Sequence, residues 1–249
     1  IAVNTATGAI TYTSNGTAGS FNFYYQMSDG ATSDVGMVTV QKILTNDNGN
    51  SINLSGPPYN ADAESFSYIK AKGGNDTLIG GAGADFLAGD GDIDMIMVGS
   101  IGHDTVQGGG NGLINDLGSN RRLDILAFDG SIDMTQANHP QITGIETMSM
   151  LDVHSTVGAD SLTIDFQDVI NLGQGTFDPF GVANLGVAAA IRVDGDSDDG
   201  LTLAGGNWRA IASSDTPAGY SLYVHDSSGN GAAEDAYVLV QTVVNVTVS

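Results

Sequence analysis

The chain reads as all-β: a coil of very short strands flanked on both sides by longer strand segments. Three observations carry that reading. First, a nine-residue phrase recurs between Ala71 and Gly112, with Asp at its sixth place (Asp76, Asp85, Asp94, Asp104) and an apolar residue two places later (Leu78, Leu87, Ile96, Val106). The repeats follow at spacings of nine, nine and ten, Val98 being the extra residue. Second, the sequence on either side alternates apolar and polar residues and is rich in β-branched side chains, the period-two pattern of strands. Third, the one helix candidate is Phe166 to Leu172, with Asp165 placed to cap it.

In chain order, residues 8–16, 20–30 and 35–44 are three strand-like segments separated by turn chemistry such as Asn15-Gly16 and Ser28-Asp29-Gly30. A partial set of such strands exposes an edge, so it is expected either to pair with the adjoining domain or to be poorly ordered. Residues 46–60 form a polar, turn-rich join, in which Asp47 and its neighbouring asparagines are a weaker candidate for a metal than a plain linker. After the repeats, Asp124 and Leu126 keep the Asp-x-apolar relation in a degenerate further turn. Further strand-like segments span 142–152, 159–172, 189–208, 219–226 and 235–249.

The repeat has a chemical logic. A hard divalent cation takes six to eight oxygens at about 2.3 to 2.6 Å, and carboxylates with backbone carbonyls supply them. Carbonyls converge where the chain turns tightly, often with positive φ, which glycine adopts at no steric cost. The candidate metal-binding positions are therefore Gly74 and Asp76 in the first turn, and Gly81, Gly83 and Asp85 in the second. Gly89, Gly91, Asp92 and Asp94 supply the third, Gly99 and Asp104 the fourth. Lys72, Asp92 and Ile101 stand where the phrase asks for glycine, and Asp tolerates the left-handed region better than most side chains. A fifth turn from Gly108 has Leu113 where Asp is expected, so metal binding fades there.

These segments resemble the calcium-binding nonapeptide GGxGxDxUx of the RTX family. The resemblance implies a parallel β-roll in which two nonapeptides make one coil and Ca2+ lies between turns eighteen residues apart, pairing the turn of Asp76 with that of Asp94 and the turn of Asp85 with that of Asp104. Residues 1–60 resemble the closing strands of an immunoglobulin-like or cadherin-like extender repeat, with its linker. Residues 61–130 are the β-roll. Residues 131–249 resemble the C-terminal β-rich cap and type I secretion signal region of RTX adhesins, on segments such as GIETMSM, LTIDFQDVINL and the VDGDxxDxLTL that precedes Trp208. The implied function is a non-enzymatic, calcium-dependent folding and export module of a large adhesin, secreted or held at the bacterial cell surface. Its implied partners are the export machinery and upstream repeats of its own chain, and it is expected to be a monomer. A calcium-dependent module that binds glycan, peptide or ice, and the accessory roll of a secreted protease or lipase, remain alternatives.

Composition bounds the partners. Twenty-nine acidic residues against seven basic ones give a net charge of −22, a self-repulsion that bound cations would relieve. No basic face is available for nucleic acid, and an anionic membrane is equally unsuited. Cysteine is absent, so no disulfide staples the chain. The DGDSDDG run from Asp194 fails as an EF-hand, because Asp199 occupies the glycine position and Gly205 that of the bidentate Glu, and a strand-joining turn is expected there. His103, His139, His154 and His225 never fall at metal spacing, and Trp208, Tyr220 and Tyr223 read as core and hairpin residues. No protease, esterase or nucleotide-binding motif occurs.

Overall fold

A computed structural model of the chain describes residues 2–3, 10–11, 19–28, 32–53, 65–81, 85–98, 104–110, 124–136, 139–150, 158–172, 189–227 and 236–249. Ahead of the repeats lie β1 (Ala2–Val3), β2 (Ile10–Thr11), β3 (Gly19–Ser28), β4 (Ser33–Leu44), β5 (Ser51–Asn53) and β6 (Ser65–Lys70). The repeats supply β7 (Thr77–Ile79), β8 (Phe86–Gly91), β9 (Met95–Val98) and β10 (Thr105–Gly110). Beyond them come β11 (Ile125–Phe128), β12 (Ser131–Asp133), β13 (Gln141–Thr143), β14 (Thr147–Ser149) and β15 (Ser161–Ile164), then the helix α1 (Phe166–Leu172). The chain ends with β16 (Ala189–Asp194), β17 (Gly200–Leu203), β18 (Trp208–Ile211), β19 (Tyr220–His225), β20 (Ala236–Gln241) and β21 (Asn245–Val248).

From β6 to β11 successive strands alternate between two sheets, and within each sheet the ladders there are parallel. The first sheet has the order β13-β10-β8-β6-β4-β3, the second β18-β19-β20-β16-β14-β11-β9-β7-β5. β12, β15, β17 and β21 form a third, all-parallel sheet in that order, and β13 is the last strand in chain order that the first sheet takes. The cross-section is set by the apolar residue of each Asp-x-apolar step, which points inward and stacks on its equivalent one coil away. In the second sheet Ile52, Leu78, Ile96, Leu126, Met148, Val193 and Val240 form one continuous register. Ile43, Ile69, Leu87, Val106 and Ile142 do the same in the first, and Ile132, Leu162, Leu201 and Val246 in the third. One buried apolar cluster runs from Ile69 to Val244, so the nonapeptide region and the C-terminal strands share a core. Truncating Ile96 to Ala, fully buried at the middle of its column, is expected to cost about 2 to 5 kcal/mol in chemical denaturation.

The flanking segments join this core through the backbone. β3 and β4 form a ten-pair antiparallel hairpin, and β4 then pairs in parallel with β6, so the N-terminal strands extend the first sheet. At the other end β18 and β19 fold antiparallel onto β20 and cover the edge of the second sheet. The helix stands beside β13, β16 and β20. It begins where the sequence places it. Asp165 Oδ1 accepts the Asp168 N–H at 3.0 Å, and Asp168 Oδ2 accepts the Asp165 N–H at 2.8 Å, a reciprocal cap.

Candidate metal centre

Each strand of the second sheet from β5 to β14 is entered through an acidic or amide residue, and these residues stack. Asn50, Asp76, Asp94, Asp124 and Glu146 each immediately precede a strand, and the main-chain N–H of each of the first four donates to the side chain of the next. The Asn50 N–H reaches Asp76 Oδ1 at 2.6 Å, that of Asp76 reaches Asp94 Oδ1 at 2.9 Å, and that of Asp94 reaches Asp124 Oδ1 at 2.8 Å. The Asp124 N–H completes the series on Glu146 Oε2 at 3.0 Å. A second column joins the Asp85 N–H to Asp104 Oδ1 at 2.8 Å. A third joins Gly130 to Asp160 at 2.6 Å, and Asp160 to Asp199 at 2.9 Å. The carboxylates thus prolong the parallel ladder by one step into the turn, where an amide would otherwise lack an acceptor. All of these Asp residues and Glu146 are buried.

The glycines of the phrase divide into two kinds. Positions two and four of the turns are left-handed: Lys72 (φ 76°) and Gly74 (φ 101°) in the first, Asp90 (φ 72°) and Asp92 (φ 78°) in the third. Lys and Asp here accept a strain that glycine avoids. Position one carries a steric constraint at Gly89 and Gly108 but not at Gly80, where a Cβ would meet nothing closer than 3.3 Å, nor in the first turn, where Ala71 stands there. A Cβ on Gly89 would collide with Asp94 Oδ2 and lie 2.6 Å from the Gly108 carbonyl oxygen, and a Cβ on Gly108 would collide with the Gly144 carbonyl oxygen. Glycine at 89 and at 108 leaves room for a carboxylate and a main-chain carbonyl of the neighbouring coil inside the corner. The turns also bond to one another across coils. The Gly74 N–H donates to Asp92 Oδ2 at 3.2 Å, that of Ile93 to Asn75 Oδ1 at 3.2 Å, and that of Gly91 to the Lys72 carbonyl at 2.6 Å.

One oxygen of each aspartate in the first column is thereby employed, and the other is not. Oδ2 of Asp76, Asp94 and Asp124 is buried without a hydrogen-bond donor. Burial pushes the carboxyl of Asp76 up, that of Asp94 up to about 7, where Asp76 and Asp90 add repulsion, and that of Asp124 up to about 8, where Glu146 and Asp94 add repulsion. A buried anionic oxygen with no donor is costly, and either a proton or a cation relieves it. The donor set is entirely oxygen, carboxylate and carbonyl, which suits a hard divalent ion. These residues fit such an ion.

No protein-family model matches the chain, and neither the curated proteins nor the solved structures yield a significant match. The site therefore rests on its own geometry. Asp76 and Asp94 are adjacent across coils, as are Asp85 and Asp104, and Gly81 donates its N–H to Asp85 Oδ2 at 2.9 Å. Gly83, Gly99, Ile101 and Leu113 lie outside the described residues. The segment 195–199 is the turn between β16 and β17, and it also gathers Asp196, Asp198 and Asp199, whose carboxylate oxygens lie within 4.8 Å of one another and could hold a metal ion. His225 is buried between Phe166, stacked at 4.4 Å, and the edge of Trp208. Tyr220 donates to Asp194 Oδ1 at 2.7 Å, and Asp194 also pairs with Arg192 at 2.8 Å.

The repeat pattern alone leaves Asn50 and Glu146 out of the column. Both carry the signal in altered form: Asn50-x-Ile52 and Glu146-x-Met148 repeat the Asp-x-apolar step with the acid replaced by an amide or lengthened by a methylene. Asn50 sits in the polar join read as linker, yet Ser51 is in register with Thr77 and the turn of 46–50 stacks on that of 72–76. Its amide also donates to Asp76 Oδ1 at 2.9 Å, so the column ends on a neutral group.

Proposed function

We propose that this chain is a calcium-dependent folding module, without enzymatic activity, of a large exported adhesin of the RTX type. The observation that carries the reading is the column of buried Oδ2 atoms on Asp76, Asp94 and Asp124 that no donor satisfies. Asp76, Asp85, Asp94 and Asp104 would hold the ions with main-chain oxygens of their turns, and the three carboxylates of 196–199 offer a further place. Bound Ca2+ supplies the positive charge that the buried carboxylates lack. In cytosolic calcium the charge of −22 and the uncompensated columns keep the chain loose, a state suited to passage through an export channel. Outside the cell, calcium at ten to a hundred times the dissociation constant adds about 1.4 to 2.7 kcal/mol per site. Several sites together match the stability of a marginal domain. Export machinery and upstream repeats of the same chain are the partners this reading names.

Circular dichroism during a calcium titration tests it. The β signal is expected to develop cooperatively between chelator and millimolar calcium. Replacing Asp85 and Asp104 together by Ala is expected to move the midpoint several-fold upward, while Asp194→Ala moves it little. Equal displacement by both variants, or a full β signal in chelator, would refute the reading.

A further inference from the structure

Among the described residues the three larger sheets end on β13, β3, β18, β5, β12 and β21. Five of these edges are blunt. β5, β12 and β13 have three residues each, β18 and β21 four, and the helix stands beside β13. β3 is the exception: it runs for ten residues, pairs with β4 on one side and has no partner strand on the other. A long open edge presents a row of unpaired N–H and C=O groups, and proteins blunt such edges by brevity, charge, proline, a bulge or a covering element. β3 has none of these devices. Its sequence, GSFNFYYQMS, holds no charge and no proline, and it matches β4 residue for residue from Gly19 to Ser28 without a bulge. Asn22, Tyr24 and Gln26 are exposed on it, Tyr24 to 71%.

Charge decides what can approach this edge. No Asp, Glu, Lys or Arg precedes Asp29, and residues 1–46 hold Asp29, Asp34 and Lys42, a net charge of −1. The remaining −21 of the total −22 therefore lies on residues 47–249. Two copies of so acidic a chain repel one another coil against coil. At the β3 edge the local charge is absent, and charges farther off than the Debye length of roughly 8 Å are screened at physiological salt. A cationic partner finds no carboxylate on this strand to hold it. A second copy of the strand, met antiparallel about a twofold axis, sets each outward N–H against an outward C=O.

We propose that the β3 edge pairs with the β3 edge of a second copy, giving a twofold dimer in place of the monomer that the family resemblance implies. Two six-stranded sheets become one, and the two acidic coils lie on opposite sides of the junction. A ten-residue strand spans roughly 34 Å, which gives the junction a long ladder without any ion pair.

Sedimentation equilibrium of the whole chain in millimolar calcium, from micromolar to sub-millimolar concentration, tests the proposal. A reversible monomer–dimer equilibrium is expected, and added salt should tighten it by screening the repulsion between coils. Tyr24→Asp is expected to weaken the dimer about tenfold or more, since both copies bring a charge to the shared edge. Val243→Asp, at a site exposed near the other end of the chain, should leave it unchanged. A native chain that stays monomeric throughout, a dimer that salt loosens, or one that Tyr24→Asp leaves intact would overturn the proposal. Should Tyr24→Asp lose the β signal in circular dichroism, hydrogen exchange of the native chain decides. The β3 N–H groups that face away from β4 gain protection with rising concentration if the edges pair, and exchange at one rate at every concentration if they do not.

Discussion

Asp94→Asn is expected to stabilise the chain when metal is stripped away and to destabilise it in millimolar calcium. The amide keeps an oxygen for the Asp76 N–H, so the ladder bond at 2.9 Å survives. What disappears is the buried negative charge. Without metal that charge is a liability, since burial raises the Asp94 carboxyl to about 7 and the Asp124 carboxyl to about 8, against 3.8 for an ordinary aspartate. Both groups titrate higher in the folded chain than in the unfolded one, and this direction sets the sign. Their contribution is therefore fully present below about pH 4 and is lost as pH rises through 7 and 8. At about 1.4 kcal/mol per pKa unit, Asp94 alone accounts for a few kcal/mol across that window. Urea midpoints in chelator should fall steeply between pH 5 and pH 8 for the native chain and less for Asp94→Asn. Calcium should flatten the native profile by displacing the protons. A variant less stable than the native chain in both conditions would mean that the carboxylate acts only through its bond to Asp76.

Gly108→Ala is expected to be among the most damaging single substitutions among the described residues, with a cost above the roughly 1 to 3 kcal/mol usual for overpacking. Its Cβ would collide with the Gly144 carbonyl oxygen and stand 2.8 Å from both Cβ and Oδ2 of Asp124. Neither neighbour can retreat. Asp124 is fixed by bonds to coils on both sides, and the β10 to β13 ladder places Gly144 directly beside Gly108. Gly200→Ala is the matched control, because a Cβ there meets nothing within 4 Å, and its effect should stay within about 0.5 kcal/mol. Similar losses in the two variants would show that backbone flexibility, rather than the meeting of carbonyl and carboxylate, sets the requirement at Gly108.

The sequence made the coil legible wherever Asp and an apolar residue kept their two-residue spacing, because that spacing is local: one residue bonds the neighbouring amide, the next but one enters the core. The helix was legible for the same reason, Asp165 standing directly ahead of Phe166 where a cap belongs, whereas its reciprocal partner Asp168 was seen only in the structure. The columns as wholes were not. Asp104, Asp124, Glu146, Asp160 and Asp199 are separated by unequal intervals, so no period announces that they occupy equivalent places. Asn50 and Glu146 differ in type from the repeat while performing its hydrogen-bonding role. Nor does any local signal say that β4 will lie beside β6 or that a third sheet begins at β12, since both depend on which distant edge is open. The strongest motif also concealed a second purpose. The sixth-place aspartate reads as a metal ligand, yet Asp94 and Asp104 already serve as backbone acceptors, and in Asp94 only the remaining oxygen is left for an ion or a proton.

Amide hydrogen exchange reads the role of that remaining oxygen most directly. The N–H groups of Asp76 and Asp94, which donate to the next carboxylate of the column, should exchange near the global unfolding limit in millimolar calcium. In a metal-stripped sample near pH 8 they should lose most of that protection together, because the charged column no longer holds the coils. Equal protection of both amides with and without calcium, at that pH, would contradict the claim that cations complete this structure.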